Sequence, residues 1–345
     1  MRCGHRDIKD SYLANILLII AMDSLMVKTL IFMLAICIDL IADETRGRLV
    51  NLHPVRLSSR IAEVLKKPFS SKVYGVFLWL SSICPIVLLF WLIQEASMYL
   101  GFYVYVIVSA LLLKTTFSIR MLRDIVLRVF KSSKRGDWNK AREATQEIVR
   151  RNVYELDEEH VLSAAIESLA ESAVDGVISP LLYYPFFGVL GSLLQRLANT
   201  LDGIVGYKSP ELKNIGWFSA KMDTLLNYLP SRLTAILLII SATILRLDHK
   251  NGVKILIRDR SKTESINAGW PMAAIAGVLR IRLEKKGHYV LGDPIEPLTP
   301  EKVLEAIHVV DLAIFLTIIL ILVLSYVVFF SWTSIASSFI EGLGL

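Results

Sequence analysis

Cysteine is nearly missing from this chain. Among 345 residues only Cys3, Cys37 and Cys84 occur, and no two make a CxxC pair. Two of them stand in apolar runs, so neither a disulfide framework nor a thiolate zinc site is expected. The six histidines are scattered without HxxxH or HExxH spacing, which argues against a metal held by soft ligands. Oxygen ligands are plentiful, and a hard ion such as Mg²⁺ stays open. Charge is also scarce: 20% of residues carry it, against 54% hydrophobic, and it vanishes from long stretches. A soluble chain of this length needs more polar surface, so the pattern is that of a membrane protein. Internal repeats, low-complexity segments and a separate soluble domain are not recognisable.

The charge that is present is unbalanced, with a net +6. No basic surface interleaved with aromatics is visible, so nucleic acid is not an expected partner. The excess fits loops facing the cytoplasm beside membrane spans. Spans are expected at about 25–41, 73–94, 97–117, 229–247 and 311–331. The short link between the second and third makes them a helical hairpin. Basic segments flank it on both sides, at 43–72 (Arg46, Arg48, Arg56, Arg60, Lys66, Lys67, Lys72) and from Arg120 to Arg135. Both then lie on one face of the bilayer, the cytoplasmic one. Residues 177–194 are apolar but carry Pro180, Pro185, Gly188 and Gly191, so they either span or re-enter. The side occupied by loop 195–228 depends on that choice. Residues 1–24 form an N-terminal extension without a convincing cleavage site, and Met22 and Met26 offer later starts. The expected fold is an all-α, polytopic membrane helical bundle with cytoplasmic helical loops, forming one membrane-embedded domain over 25–345.

Four polar segments carry candidate chemistry. Residues 137–175 read as soluble helix, with Asp137 and Asp157 as N-caps and Val161, Ala165, Leu169 and Ala173 as a packing stripe. Asp175–Gly176, with Pro180 after it, is expected to end the second helix. Glu167, Glu171 and Asp175 are spaced by four and line one face. Three aligned carboxylates repel one another, so they call for a metal ion or for arginine and lysine from elsewhere. In NTLDGIVGYK, Asn199 and Asp202 sit one turn apart, and Gly203 and Gly206 would let backbone amides approach an anion beside Lys208. A helix C-terminus with a glycine turn explains that string equally well. It lacks the spacing of a P-loop. In GWFSAKMDTLLNYLPSRLT, Lys221, Asp223, Asn227 and Arg232 lead into a span, while Trp217 and Tyr228 suit a membrane interface. Arg232 would there contact phosphate or simply snorkel. In SINAGWPMAAIAG, Asn267, Gly269 and Pro271 make a polar turn before Ala273, Ala274, Ala276 and Gly277, small residues that favour close helix packing. His53 and Arg56 in HPVR are a weak signal alone.

Taken in order, Asp39, HPVR, AAIESLAESAVDGVISPLLYY, NTLDGIVGYK, GWFSAKMDTLLNYLPSRLT and NAGWPMAAIAG resemble the membrane ligases of cobalamin biosynthesis, the adenosylcobinamide-phosphate synthase family. The resemblance covers most of residues 39–292. Departures from its usual pattern fall at Arg150, Asn152, Ser172, Ile266 and Met272. The resemblance implies an ATP-dependent amide ligase that joins adenosylcobyric acid, a corrinoid, to aminopropanol phosphate or a similar amino-alcohol phosphate. It implies ATP as co-substrate, with Mg²⁺ inferred alongside. Glu167, Glu171 and Asp175 are then expected to be catalytic, with Glu171 and Asp175 on the metal. Asn199, Asp202, Lys208, Lys221, Asp223, Asn227, Arg232, Asn267, His53 and Arg56 are expected to bind substrate or phosphate. The setting is the plasma membrane with a cytoplasmic active site, and a homo-oligomer is compatible with it. The alternative is a membrane transporter for an anionic metabolite. That reading expects charges inside the spans, whereas 73–94, 97–117 and 311–331 hold almost none.

Overall fold

The computed structural model describes residues 25–41 and 47–342. The N-terminal extension, with Cys3, and the start of the first basic loop, with Arg46, lie outside the described residues. The fold is helical, as expected, and the helices long and apolar enough to cross a membrane are those of a polytopic protein. Among the described residues these candidates are Lys72–Tyr99, Phe102–Lys134, Glu158–Val205 and Pro300–Val328. A fifth arises if the bent pair Trp217–Leu226 and Tyr228–Ile244, angled by 43°, counts as one span.

The chain divides into two compact units, each discontinuous in sequence. The first takes in residues up to 117, 180–220 and from 319 onward. Its opening helix α1 (Leu25–Ile41) is 17 residues long, at the lower limit for a span. A 3₁₀ turn (Gly47–Leu52) leads to α2 (Pro54–Leu65), with Pro54 at the first helical position where a missing N–H costs nothing. Then α3 (Lys72–Tyr99) and α4 (Phe102–Lys114) form the expected hairpin. The turn falls at Leu100–Gly101, later than hydropathy placed it, because Gly101 alone adopts the positive φ of 105° that reverses the chain.

The second unit takes in residues 118–179 and 221–318. The expected basic segment is an amphipathic helix, α5 (Ile119–Lys134). Its buried Ile119, Leu122, Ile125, Val126 and Val129 recur every three or four residues. Arg123 and Arg128 on its other face pair with Asp311 at 2.9 Å and with Glu147. Next come α6 (Trp138–Gln146) and α7 (Glu158–Ala173), capped by Asp137 and Asp157 as expected: their carboxylates accept from the amides of Lys140 at 3.2 Å and His160 at 2.9 Å. The stripe Val161, Ala165, Leu169, Ala173 is buried, but so is everything else from Val161 to Ala170. This helix is the centre of the unit, packed by α5, α6, α12 (Gly269–Val278) and the strand β1 (Leu283–Lys285).

Two boundaries differ from the sequence reading. Asp175–Gly176 and Pro180 do not end the helix. Instead α7 widens into a π turn, Val174–Ile178, and continues as α8 (Ser179–Val205). Ser179 N–H reaches back five residues to the Val174 carbonyl. The Gly176 carbonyl, which Pro180 has no N–H to satisfy, accepts instead from the Ser118 amide at 3.2 Å. Helix α8 is itself interrupted at Gly188, with φ 62° and ψ −155°. The last helix, α13 (Pro300–Gly342), starts well before the expected residue 311. Its first turns alternate buried Val303, Ala306 and Ile307 with charged Glu301, Lys302 and Glu305, an amphipathic lead-in that average hydropathy does not register.

The remainder of the second unit is α10 (Tyr228–Ile244), which follows α9 (Trp217–Leu226), then α11 (His249–Asp259), α12 and an antiparallel pair, β1 with β2 (Tyr289–Leu291). The strands were not anticipated, since three-residue ladders leave no periodic trace in sequence. The small residues of α12 do allow close packing: Asn251 Nδ2 donates to the Gly277 carbonyl at 2.8 Å, where α11 crosses α12. A Cβ on Gly277 would stand 2.8 Å from Gly252 Cα and 2.9 Å from the Asn251 carbonyl oxygen, which are backbone atoms that cannot swing aside. A Cβ on Gly252 would meet only the Val278 side chain at such range, at 2.5 Å. Gly277→Ala should therefore cost about 1–3 kcal/mol of stability and Gly252→Ala less. Thermal melts of the two variants in detergent check this, and equal melting temperatures would contradict the crossing.

Candidate functional site

In the second unit, α7 brings Glu167 into the interior. Its side chain is 6% exposed, and its carboxylate is fully engaged. Ser163, one turn earlier, donates to Oε1 at 2.6 Å, while Tyr289 OH and Arg151 Nη2 donate to Oε2 at 2.8 and 3.3 Å. Ser163 Oγ in turn accepts from the Glu284 amide at 2.8 Å. Burial, followed by the charge of Glu167, pushes the Tyr289 phenol well above its ordinary value, so it stays protonated and keeps donating. The expected stripe of three equal carboxylates is thus divided. Glu167 is an internal anchor, whereas Glu171 is exposed and Asp175, in the π turn, is half-buried. Among the described residues no group of three or more His, Cys, Asp or Glu side chains is placed to hold a metal ion. Two hard oxygen donors one turn apart match Mg²⁺ in its usual setting, with one or two carboxylates and the rest of the shell from phosphate and water.

Arg232 and Asn267, which stand in successive motifs 35 residues apart, meet directly. Arg232 Nη1 donates to Asn267 Oδ1 at 2.6 Å, to the Tyr228 carbonyl at 2.7 Å and to Ser231 Oγ at 2.9 Å. Asn267 Nδ2 donates to the Thr224 carbonyl at 2.9 Å, which fixes the orientation of the amide. The Arg232 guanidinium lies 3.6 Å from the Tyr228 ring centroid and 4.8 Å from that of Trp270. It is wedged among aromatics rather than reaching away from them. Asp223 and Asn227 do share a face: Asn227 Nδ2 donates to Asp223 Oδ1 at 2.9 Å. Lys221 is exposed nearby on α9. Within this unit α10 packs on the π turn and α12 on α7, so the helices bearing Arg232 and Trp270 both rest on the one that bears the carboxylates.

His53, Arg56, Asn199, Asp202 and Lys208 belong to the first unit. There Asp39, 1% exposed, pairs with Lys114 Nζ at 3.5 Å. His53 occupies the N-cap position of α2 without a side-chain capping bond, and burial, then the charges of Arg196 and Lys114, lower its pKa from 6.5 to about 4. Arg196 and Asn199 stand one turn apart on α8. Arg56 and Lys208 are exposed. Of the two readings of NTLDGIVGYK, the amide cradle at Gly203 and Gly206 does not form. Gly203 is helical, and the Gly206 amide donates to the Asp202 carbonyl at 2.8 Å. The segment is a helix C-terminus, which presents carbonyls rather than amides. Trp217 and Tyr228 are exposed, and Lys72 sits 5.2 Å from the Trp217 ring.

Sequence reasoning missed Lys114, Arg151, Arg196, Arg260, Trp270 and Tyr289. Arg151 and Tyr289 lie 16 and 122 residues from Glu167, and no local spacing announces such contacts. A buried glutamate does require donors, and that requirement was the available signal.

The model of the CobD/Cbib protein family matches residues 32–312. A probable cobalamin biosynthesis protein CobD of Methanothermobacter thermautotrophicus is 38% identical over 287 residues, 83% of this chain and 94% of that protein. The cobalamin biosynthesis protein CobD of Dehalococcoides mccartyi is 33% identical over 280 residues, 79% and 90% of the respective chains. That of Clostridium perfringens is 37% identical over 243 residues, 69% and 77%. No solved structure matches.

The His53 environment predicts a pH dependence. The folded chain holds His53 neutral down to about 4, whereas the unfolded chain takes up the proton near 6.5. The contribution to stability is complete above the higher value and is lost as pH falls between the two. Melting temperatures measured from pH 7 to 4 should fall less steeply for His53→Gln than for the parent protein. Parallel profiles would remove His53 as a source of acid sensitivity.

Proposed function

The chain belongs to the CobD/Cbib family, and from that premise we propose that it is an ATP-dependent amide ligase of cobalamin biosynthesis. Its substrates on this reading are adenosylcobyric acid and an amino-alcohol phosphate, aminopropanol phosphate or a close analogue, and its product is adenosylcobinamide phosphate. One observation supports it most: Glu171 and Asp175 continue the helix on which the elements bearing Arg232 and Trp270 are packed. Carboxylates for a cation and guanidinium groups for phosphate are thereby held by one compact unit.

A carboxylate does not acylate an amine at neutral pH without activation. In the proposed reaction a carboxylate oxygen of the corrinoid acid bonds to the γ-phosphorus of ATP. The bond to ADP breaks, and an acyl phosphate forms. The amine nitrogen then bonds to the acyl carbon, the bond to phosphate breaks, and inorganic phosphate leaves. Glu171 and Asp175 would hold Mg²⁺, whose charge offsets that of the polyphosphate. The same stripe attracts the ammonium end of the amine and takes the proton that must leave before attack. Glu167 positions the stripe by tying Tyr289 and Arg151 to α7. Arg232 and Lys221 contact phosphates, while Asp223, Asn227 and Asn267 orient the substrates. The site faces the cytoplasm, where ATP is made available, from a multi-pass protein of the plasma membrane.

Purified protein in detergent, given ATP, aminopropanol phosphate and adenosylcobyric acid, should release ADP and phosphate and form the amide, followed by mass spectrometry. Glu171→Gln and Asp175→Asn should each lower turnover by about a hundredfold or more. Parental turnover in both, at matched protein level, would eliminate the stripe from the chemistry. Substrate uptake by vesicles without amide product would favour a transporter.

A further inference from the structure

Arg232 is not the sole cation at Trp270. The guanidinium carbon of Arg260, at the end of α11, lies 4.9 Å from the same indole centroid, against 4.8 Å for Arg232. Two like charges have been brought to one ring, and at this range they repel each other. Folding gains nothing from that repulsion, so a counter-charge is called for. The surrounding cations show what a satisfied arrangement looks like. Arg258 and Lys262, within two residues of Arg260, both bond the buried carboxylate of Asp259, at 2.7 and 2.6 Å. Among the described residues, neither Arg232 nor Arg260 meets a carboxylate within ion-pair distance. Arg232 is oriented by neutral acceptors, the carbonyls of Tyr228 and Asn267 and the hydroxyl of Ser231, which steer the group without neutralising it. Among the described residues the Arg260 guanidinium meets no hydrogen-bond acceptor, and its ring contact is the one to Trp270.

We infer that Arg232 and Arg260, aligned on Trp270, form a receptor for the terminal phosphate dianion of a substrate. Two fixed positive charges match a phosphomonoester, which carries close to two negative charges at neutral pH. Planar guanidinium groups present paired donors to phosphate oxygens, and the indole and phenol rings keep both cations in place while excluding water from one side of each. The inference rests on the ligase reading for the nature of the substrates. Two of those, the amino-alcohol phosphate and the nucleoside triphosphate, end in such a group.

The test measures binding of aminopropanol phosphate, tripolyphosphate and phosphatidylglycerol micelles to the full-length protein in neutral detergent, by calorimetry. Arg260→Gln should melt like the parent protein, since the side chain bonds no protein acceptor, and should weaken phosphate binding about tenfold to a hundredfold. Arg260→Lys should restore part of the affinity, and Trp270→Phe should lose less than Arg260→Gln. Loss confined to tripolyphosphate assigns the receptor to the nucleotide, and loss confined to aminopropanol phosphate assigns it to the amine substrate. Parental affinity for both probes in Arg260→Gln would overturn the proposal, as would a loss seen with the lipid alone. Because no turnover is needed, Arg260-dependent binding without amide synthesis counts against the ligase reading only. An active ligase indifferent to Arg260→Gln counts against the receptor only.

Discussion

A carboxylate buried without partners costs about several kcal/mol, and Glu167 sits at the centre of the second unit. Everything near it answers to that cost. Ser163 is supplied by the same helix, Arg151 by the loop before it and Tyr289 by the strand pair far along the chain. The three donors make the glutamate tolerable, and in return the glutamate fixes three separate segments against α7. Removing one donor would leave the charge partly unsatisfied, while exchanging the whole set for apolar groups would sacrifice the alignment. The exposed Glu171 and half-buried Asp175 continue directly from this fixed stretch of helix.

The first unit follows a related logic in more apolar surroundings. Asp39 and Lys114 face each other from α1 and α4, and His53 is kept neutral beside Lys114 and Arg196. Charge is introduced there in compensated form, and the imidazole is the member that gives up its proton, because of all these groups it does so at least expense. Hydropathy alone sees Asp39 and Lys114 as blemishes at the ends of two spans. Paired, they lock the helices together.

Much of this was legible in the sequence. Apolar run lengths located the hairpin of α3 and α4, and the caps Asp137 and Asp157 marked their helices to the residue. The alanines and glycine of α12 announced a close crossing. These features are local, and local spacing encodes them. What escaped depends on contacts across long stretches of chain. The partners of Glu167, the meeting of Arg232 with Asn267, and the second guanidinium at Trp270 are of this kind. The glycines of NTLDGIVGYK left two readings open for another reason. Glycine licenses several backbone paths, and helix continuation through Gly203 used the amides that an anion would have needed. Pro180 misled because its missing donor was compensated from outside the helix, by Ser118.

The wide turn at Val174–Ile178 has a bearing on how the chain tolerates change in length. One additional residue is accommodated there, and each residue of a helix advances the azimuth by about 100°. Deleting one position in this stretch would leave every helix-forming tendency intact and yet force the Ser179 N–H onto a different carbonyl. At this point in the chain the number of residues in the turn, as much as their identity, sets which backbone groups meet.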